Sequence, residues 1–172
     1  VKSAAGREAA AVTLIALGNA DAGDDGAALQ AARAAAATLP GCALVEAGRP
    51  GVDLLDLLES ARRVVIVDVV RSNAPPGTLH AMPLDALLTR ADARPQPSSH
   101  GVGPAEALRL ADALGRPLPR GTFVGIEGRA FSPGAPLSPE VRGGMTELVE
   151  AVREAAHALL AEAAAAPAEE GR

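Results

Sequence analysis

Apolar residues along the chain fall into two rhythms. Short unbroken runs mark strands: Val12 to Leu17, Cys42 to Ala47, Val64 to Val70 and Thr122 to Glu127. The run at Val64–Val70 carries six β-branched apolar residues without alternation, which predicts a central strand covered on both faces, as in a parallel α/β sheet. Between the runs the spacing turns helical. Ala28, Leu29, Ala32, Ala36 and Leu39 share one face of a segment from about Asp24 to Leu39, stopped by Pro40-Gly41. Leu54, Leu55 and Leu58 predict a short helix after the turn at Gly48–Gly51. Pro104 opens and Gly115 closes another. Ser138-Pro139-Glu140 combines an N-cap, a first-turn proline and an acid at the positive helix end. The helix it starts carries Val141, Met145, Leu148, Val149, Val152, Leu159 and Leu160 on one stripe.

Thr78–Met82 predicts a fourth strand. The connection from Val70 is so short that an edge, antiparallel place fits it. Two loops rich in proline and polar residues, 72–77 and 92–104, interrupt the pattern. The alternation predicts an α/β chain: a three-layer α/β/α domain with a mostly parallel five-stranded sheet, one short strand antiparallel. Residues 1–10 read as a flexible arm, 11–165 as a single domain and 166–172 as a disordered tail.

Composition narrows the function. The chain has 172 residues, enough for one sizeable core. It has no Trp or Tyr, and Phe123 and Phe131 are its only aromatics. Base-stacking platforms are therefore missing, and a net charge of −5 opposes phosphate-backbone binding, so no nucleic-acid partner is expected. Cys42 is the single cysteine and sits in an apolar run, where it reads as core rather than chemistry. No apolar stretch approaches the ~20 residues of a membrane span. The first ten residues lack the order of a signal peptide, so the expected compartment is the cytoplasm, and the expected state a monomer.

Ligands of open α/β sheets lie beyond the carboxyl ends of the strands. The first such end is acidic: Leu17 to Gly26 reads LGNADAGDDG, three aspartates and three glycines in ten residues. This turn repels phosphate, lacks the lysine of a P-loop, and its glycine spacing is no dinucleotide fingerprint. A cation suits it better. One acid at Asp24-Asp25 suffices to start the helix, which leaves the other to project into the crevice. Asp68 is embedded in an apolar strand and requires donors, a cation or water beside it. Capping a neighbouring loop would satisfy it as well. His100, in Ser98-Ser99-His100-Gly101, is flanked by small residues. With two carboxylates it would complete a mixed N/O site for a divalent first-row metal. His80 and His157 have no acidic partner that the sequence identifies.

These segments together resemble the nickel–iron hydrogenase maturation endopeptidases. LGNADAGDDGAALQAA is similar to the family's Gly-Asn turn followed by Asp-Asp/Glu-Gly. VVIVDVV with PPGTLH resembles its central strand with the acid and a following Pro-Gly-Thr. SSHGVGPAEALRLADALG resembles its histidine loop and helix, while FVGIEG and LSPEV resemble the late strand and the last helix start. The five segments occur in the same order, from about residue 12 to 160.

The resemblance implies an aspartic-type endopeptidase that removes a C-terminal peptide from the hydrogenase large-subunit precursor. Nickel comes with that precursor and would be contacted by Asp25, Asp68 and His100. Asp25 and Asp68 are also the candidate catalytic carboxylates, and Asp24, Gly18 and Asn19 would support them. Either the metal polarises the scissile carbonyl or a carboxylate activates water.

Two departures stand out. Ala47-Gly48-Arg49-Pro50-Gly51 replaces part of a Gly-Gly-Thr-like turn, which is expected to alter precursor recognition and leave the trio untouched. Val69 stands where Ala is common. Peptidyl-tRNA hydrolases share the Leu-Gly-Asn start, but the acidic balance and the lack of an early histidine oppose that reading. A non-catalytic metal-binding module, acting as a maturation chaperone or scaffold, is the other alternative.

Overall fold

The computed structural model describes residues 10–89 and 103–166. The expected arm and tail fall almost wholly outside the described residues, and so does the histidine loop at 98–101. Five strands form one sheet: β1 (Val12–Leu17), β2 (Cys42–Gly48), β3 (Arg63–Val70), β4 (Leu79–Pro83) and β5 (Arg120–Glu127). Their order is β2-β1-β3-β5-β4. β4 runs antiparallel to β5 and every other pair is parallel. The predicted mixed sheet is therefore the one found. Pro83 closes β4 on the sheet edge, where a missing N–H breaks no central ladder.

Among the described residues five α-helices cover the two faces: α1 (Ala27–Ala36), α2 (Leu54–Glu59), α3 (Leu84–Thr89), α4 (Pro104–Ala113) and α5 (Pro139–Ala165). Successive strand residues point to opposite faces, so each unbroken apolar run feeds two cores at once. Val12, Leu14, Val65, Val67, Val124 and Ile126 pack against α1 and α5. Ile15, Val64, Ile66 and Phe123 pack against α2, α3 and α4. The predicted stripe of α5 is its inner face, with Val141, Leu148 and Val152 fully buried. α1 buries Ala27, Ala28, Ala31, Ala32 and Ala35, whose small side chains let it lie close to its neighbours.

Several boundaries shift by a residue or two from the sequence reading, and two differences are larger: an earlier start of β5 and an added helix. The segment expected to turn helical at Asp24 begins as a 3-10 turn, Gly23–Gly26, before α1. β5 starts at Arg120, ahead of the apolar run. Gly121 pairs there with Val64, and a Cβ on it would fall 2.3 Å from the Val64 carbonyl oxygen. Glycine and arginine carry no strand pattern, so this extension was illegible. α3 was not anticipated either: six residues are too few to establish a helical period.

Candidate active site

β1 ends in a turn whose shape requires Gly18. Its φ is +116°, and a Cβ there would meet the Asp25 carbonyl oxygen at 2.1 Å. The Gly18 N–H donates to the Gly48 carbonyl at 2.8 Å, which ties this turn to the one after β2. Asn19 then builds the bend: its side-chain oxygen accepts from Asp21 N–H at 3.0 Å and its carbonyl from Ala22 N–H. Its own N–H donates to Asp25 Oδ2 at 2.9 Å. Gly18 and Asn19, two of the three residues assigned a supporting part, meet Asp25 through their backbone.

Asp25 is only 5% exposed. Besides Asn19, its Oδ2 accepts from Arg49 Nη2 at 2.7 Å. This overturns the expectation that the altered Arg-Pro turn leaves the trio untouched. The physical reason is the Gly18–Gly48 hydrogen bond, which brings the two strand-end turns together so that the next residue reaches the acid.

Asp68 lies on β3 opposite Gly125 of β5. One carboxylate oxygen accepts from Val69 N–H at 2.8 Å. The residue keeps a little exposed surface, yet protein surrounds the carboxyl closely enough that burial pushes it up to about 7. The Val69 N–H opposes that rise and the Asp25 charge adds to it. An acid in the turn beyond β1 thus acts electrostatically on an acid near the end of the adjacent parallel strand. His100 lies outside the described residues. Among the described residues, no three of His, Cys, Asp and Glu form a group able to hold a metal.

Asp24 has a different task. It is fully buried, and its carboxylate accepts from Arg129 N–H (2.8 Å), Ala130 N–H (2.8 Å), Ser138 N–H (2.6 Å) and Ser138 Oγ (2.9 Å). Burial alone would raise its carboxyl, but these donors together hold it below the usual carboxylate value. Asp24 thus fastens the strand-one turn to the segment between β5 and α5 and caps no helix of its own. Ser138, predicted as an N-cap, does accept from Val141 N–H while donating to Asp24.

One buried acid was missed. Glu127 ends β5 and accepts from Ser72 N–H at 2.7 Å and Ser72 Oγ at 2.8 Å, which latches the loop after β3. Its Oε2 lies 3.4 Å from His80 Nε2, so His80 has the acidic neighbour that the sequence left unidentified. The nitrogen is not aligned for a hydrogen bond there. Only the pairing of β4 with β5 brings the two together. Cys42 is half-buried and packs against the core, and burial raises its thiol, so the non-chemical reading fits. Beyond the ends of β3 and β5 lies an open depression whose lining includes Arg71, Asn73, Glu127, Arg129 and Phe131. The Arg71 guanidinium stacks 3.6 Å from the centre of the Phe131 ring.

A model of the hydrogenase maturation protease family matches residues 28–155. The chain belongs to that family. The protease shares its fold with the hydrogenase maturating endopeptidase HybD from Escherichia coli, at a TM-score of 0.70 and 21% identity over 86% of this chain and 92% of the other. Against HybD of Thermococcus kodakarensis, a [NiFe] hydrogenase maturation protease, identity is 30% with a TM-score of 0.65, over 84% and 98% of the two chains. A hydrogenase 2 maturation peptidase from a Thaumarchaeota archaeon gives 26% identity and 0.60, over 84% and 96%. A comparison with curated proteins gives no match. The family match takes in the positions of Asp68 and His100 but begins after the acidic turn. The case for Asp25 in this protease therefore rests on its burial and its neighbours. No helix among the described residues is long and apolar enough to cross a membrane.

Proposed function

We propose that this protease removes a C-terminal peptide from a hydrogenase large-subunit precursor, and that it reads nickel carried by the precursor through Asp25, Asp68 and His100. The observation that carries the reading is that Asp25, buried in the turn beyond β1, and Asp68, near the end of the adjacent strand β3, lie close enough for the charge of Asp25 to act on Asp68. Burial raises the Asp68 carboxyl to about 7, and the Asp25 charge adds to the rise. A carboxylate with that value can accept a proton from water near neutral pH and return it to a leaving amine. In the proposed reaction Asp68 does so beside its contact with the metal-bearing end of the substrate, and Asp25, fixed by Asn19 N–H, faces that end as well. Nickel is substrate cargo here, and its chemistry is to polarise the scissile carbonyl. The neighbouring depression, with Arg71 and Arg129, offers polar partners for the peptide that runs on from the cleaved bond.

The test is mass spectrometry of a nickel-loaded precursor after incubation with the protease. Expected is release of one discrete C-terminal peptide, only with nickel present, and its loss in Asp25→Asn, Asp68→Asn and His100→Ala. Equal cleavage of the nickel-free precursor would refute recognition through the metal.

A further inference from the structure

Arg49 stands in the turn where the family resemblance leads one to expect a Gly-Gly-Thr-like sequence, and it occupies the acid assigned to the metal. Its Nη2 lies 2.7 Å from Asp25 Oδ2, and Asn19 N–H approaches the same oxygen. The backbone below it is anchored. Gly48 and Gly51 take positive φ values of +64° and +57°, Pro50 restricts the chain between them, and the Gly48 carbonyl is held by Gly18 N–H. The side chain differs from its backbone, since 35% of it remains exposed. It can withdraw into water without first unpacking from a core. A divalent ion on this carboxylate and a guanidinium on the same oxygen would repel each other, so one excludes the other.

Resting on the nickel-contacting reading of Asp25, we propose that Arg49 is a tethered counter-cation. It holds the acid against free divalent ions and yields it only to nickel delivered by a docked precursor. A partner that adds contacts elsewhere can offset the displacement of Arg49, whereas a free ion cannot. Arg49 is a positioning and selectivity residue in this account.

The experiment is calorimetric titration of the full chain with Ni²⁺ alone, at one pH and ionic strength, with folding of each variant checked by circular dichroism. Arg49→Gln keeps a donor for Asp25 and removes the charge. It is expected to bind Ni²⁺ about tenfold tighter than the parent. Arg49→Thr carries the same expectation and serves if the first variant does not fold. Arg49→Lys, which keeps the charge, should stay at the parent affinity, and Arg49→Gln with Asp25→Asn should lose the gain. Unchanged or weaker binding in the neutral variants overturns the proposal, as does a gain that survives Asp25→Asn. Precursor cleavage by the parent protein, run alongside, separates the two readings. Normal cleavage beside an unchanged Ni²⁺ affinity removes the role of Arg49 alone, while absent cleavage bears on the function.

Discussion

Asp24 and Asp25 are neighbours with opposite environments. Asp24 collects four donors in a fully buried position, and Asp25 meets one backbone N–H and one guanidinium at the edge of the crevice. The sequence placed two acids at the start of a helix and assigned one to structure and one to chemistry. It could not tell which donors would hold the structural one, because they lie more than a hundred residues away. Asp24→Asn tests the assignment. An amide nitrogen facing those N–H groups leaves donors unpaired, so stability should fall by about 3 kcal/mol in urea unfolding. A change within 0.5 kcal/mol would show that the latch contributes little.

Among the elements, the turn after β1 is the one on which the site depends. Gly18 places the Asp25 carbonyl against its own Cα, Asn19 holds the Asp25 carboxylate, and Gly48 couples the turn to Arg49. Gly18→Ala should therefore cost more than its small volume suggests. A Cβ at 2.1 Å from a backbone oxygen forces the turn to shift, and Asp25 shifts with it. The expected outcome is loss of peptide release by at least about a hundredfold, as expected for a displaced reacting group, measured beside a circular dichroism spectrum that keeps its helix and sheet signal. Full activity in that variant would show that the turn tolerates a different path.

For the molecule as a whole, two acids shape stability in opposite pH ranges. Asp24 is held below its ordinary value of 3.8, so its contribution is present above that pH and is lost as the medium becomes more acidic. Asp68 is raised from 3.8 to about 7. Below 3.8 it is protonated in both folded and unfolded chains and carries no penalty. From there to about 7 the unfolded chain ionises first, and stability falls until the folded group ionises as well. The full difference is at most about 4 kcal/mol, and less because Asp68 keeps some exposed surface. Asp68→Asn, which retains an acceptor for Val69 N–H, should match the parent in stability near pH 4 and exceed it by up to a few kcal/mol at pH 8. Denaturant unfolding at the two pH values checks this. An identical pH dependence for the two proteins would mean that Asp68 is solvated as well as it is in the unfolded chain. An acid that destabilises the fold at neutral pH is most readily understood as retained for chemistry.

The sequence by itself determined the layers, the parallel centre of the sheet and the antiparallel edge, and it pointed to Asp24, Asp25 and Asp68 as acids near strand ends. Those follow from local pattern: unbroken β-branched runs, helical stripes, and prolines and glycines at element ends. Tertiary structure alone decided which acid meets which partner. The donors of Asp24 come from the segment before α5, the guanidinium on Asp25 from the turn after β2, and the neighbours of Glu127 from β4 and the loop after β3. Each pair is remote in sequence and adjacent only because the sheet brings its strands together, the parallel ones at their carboxyl ends and β4 antiparallel beside β5. A pattern read along one chain carries the period of its own element and no information on what faces it across the sheet.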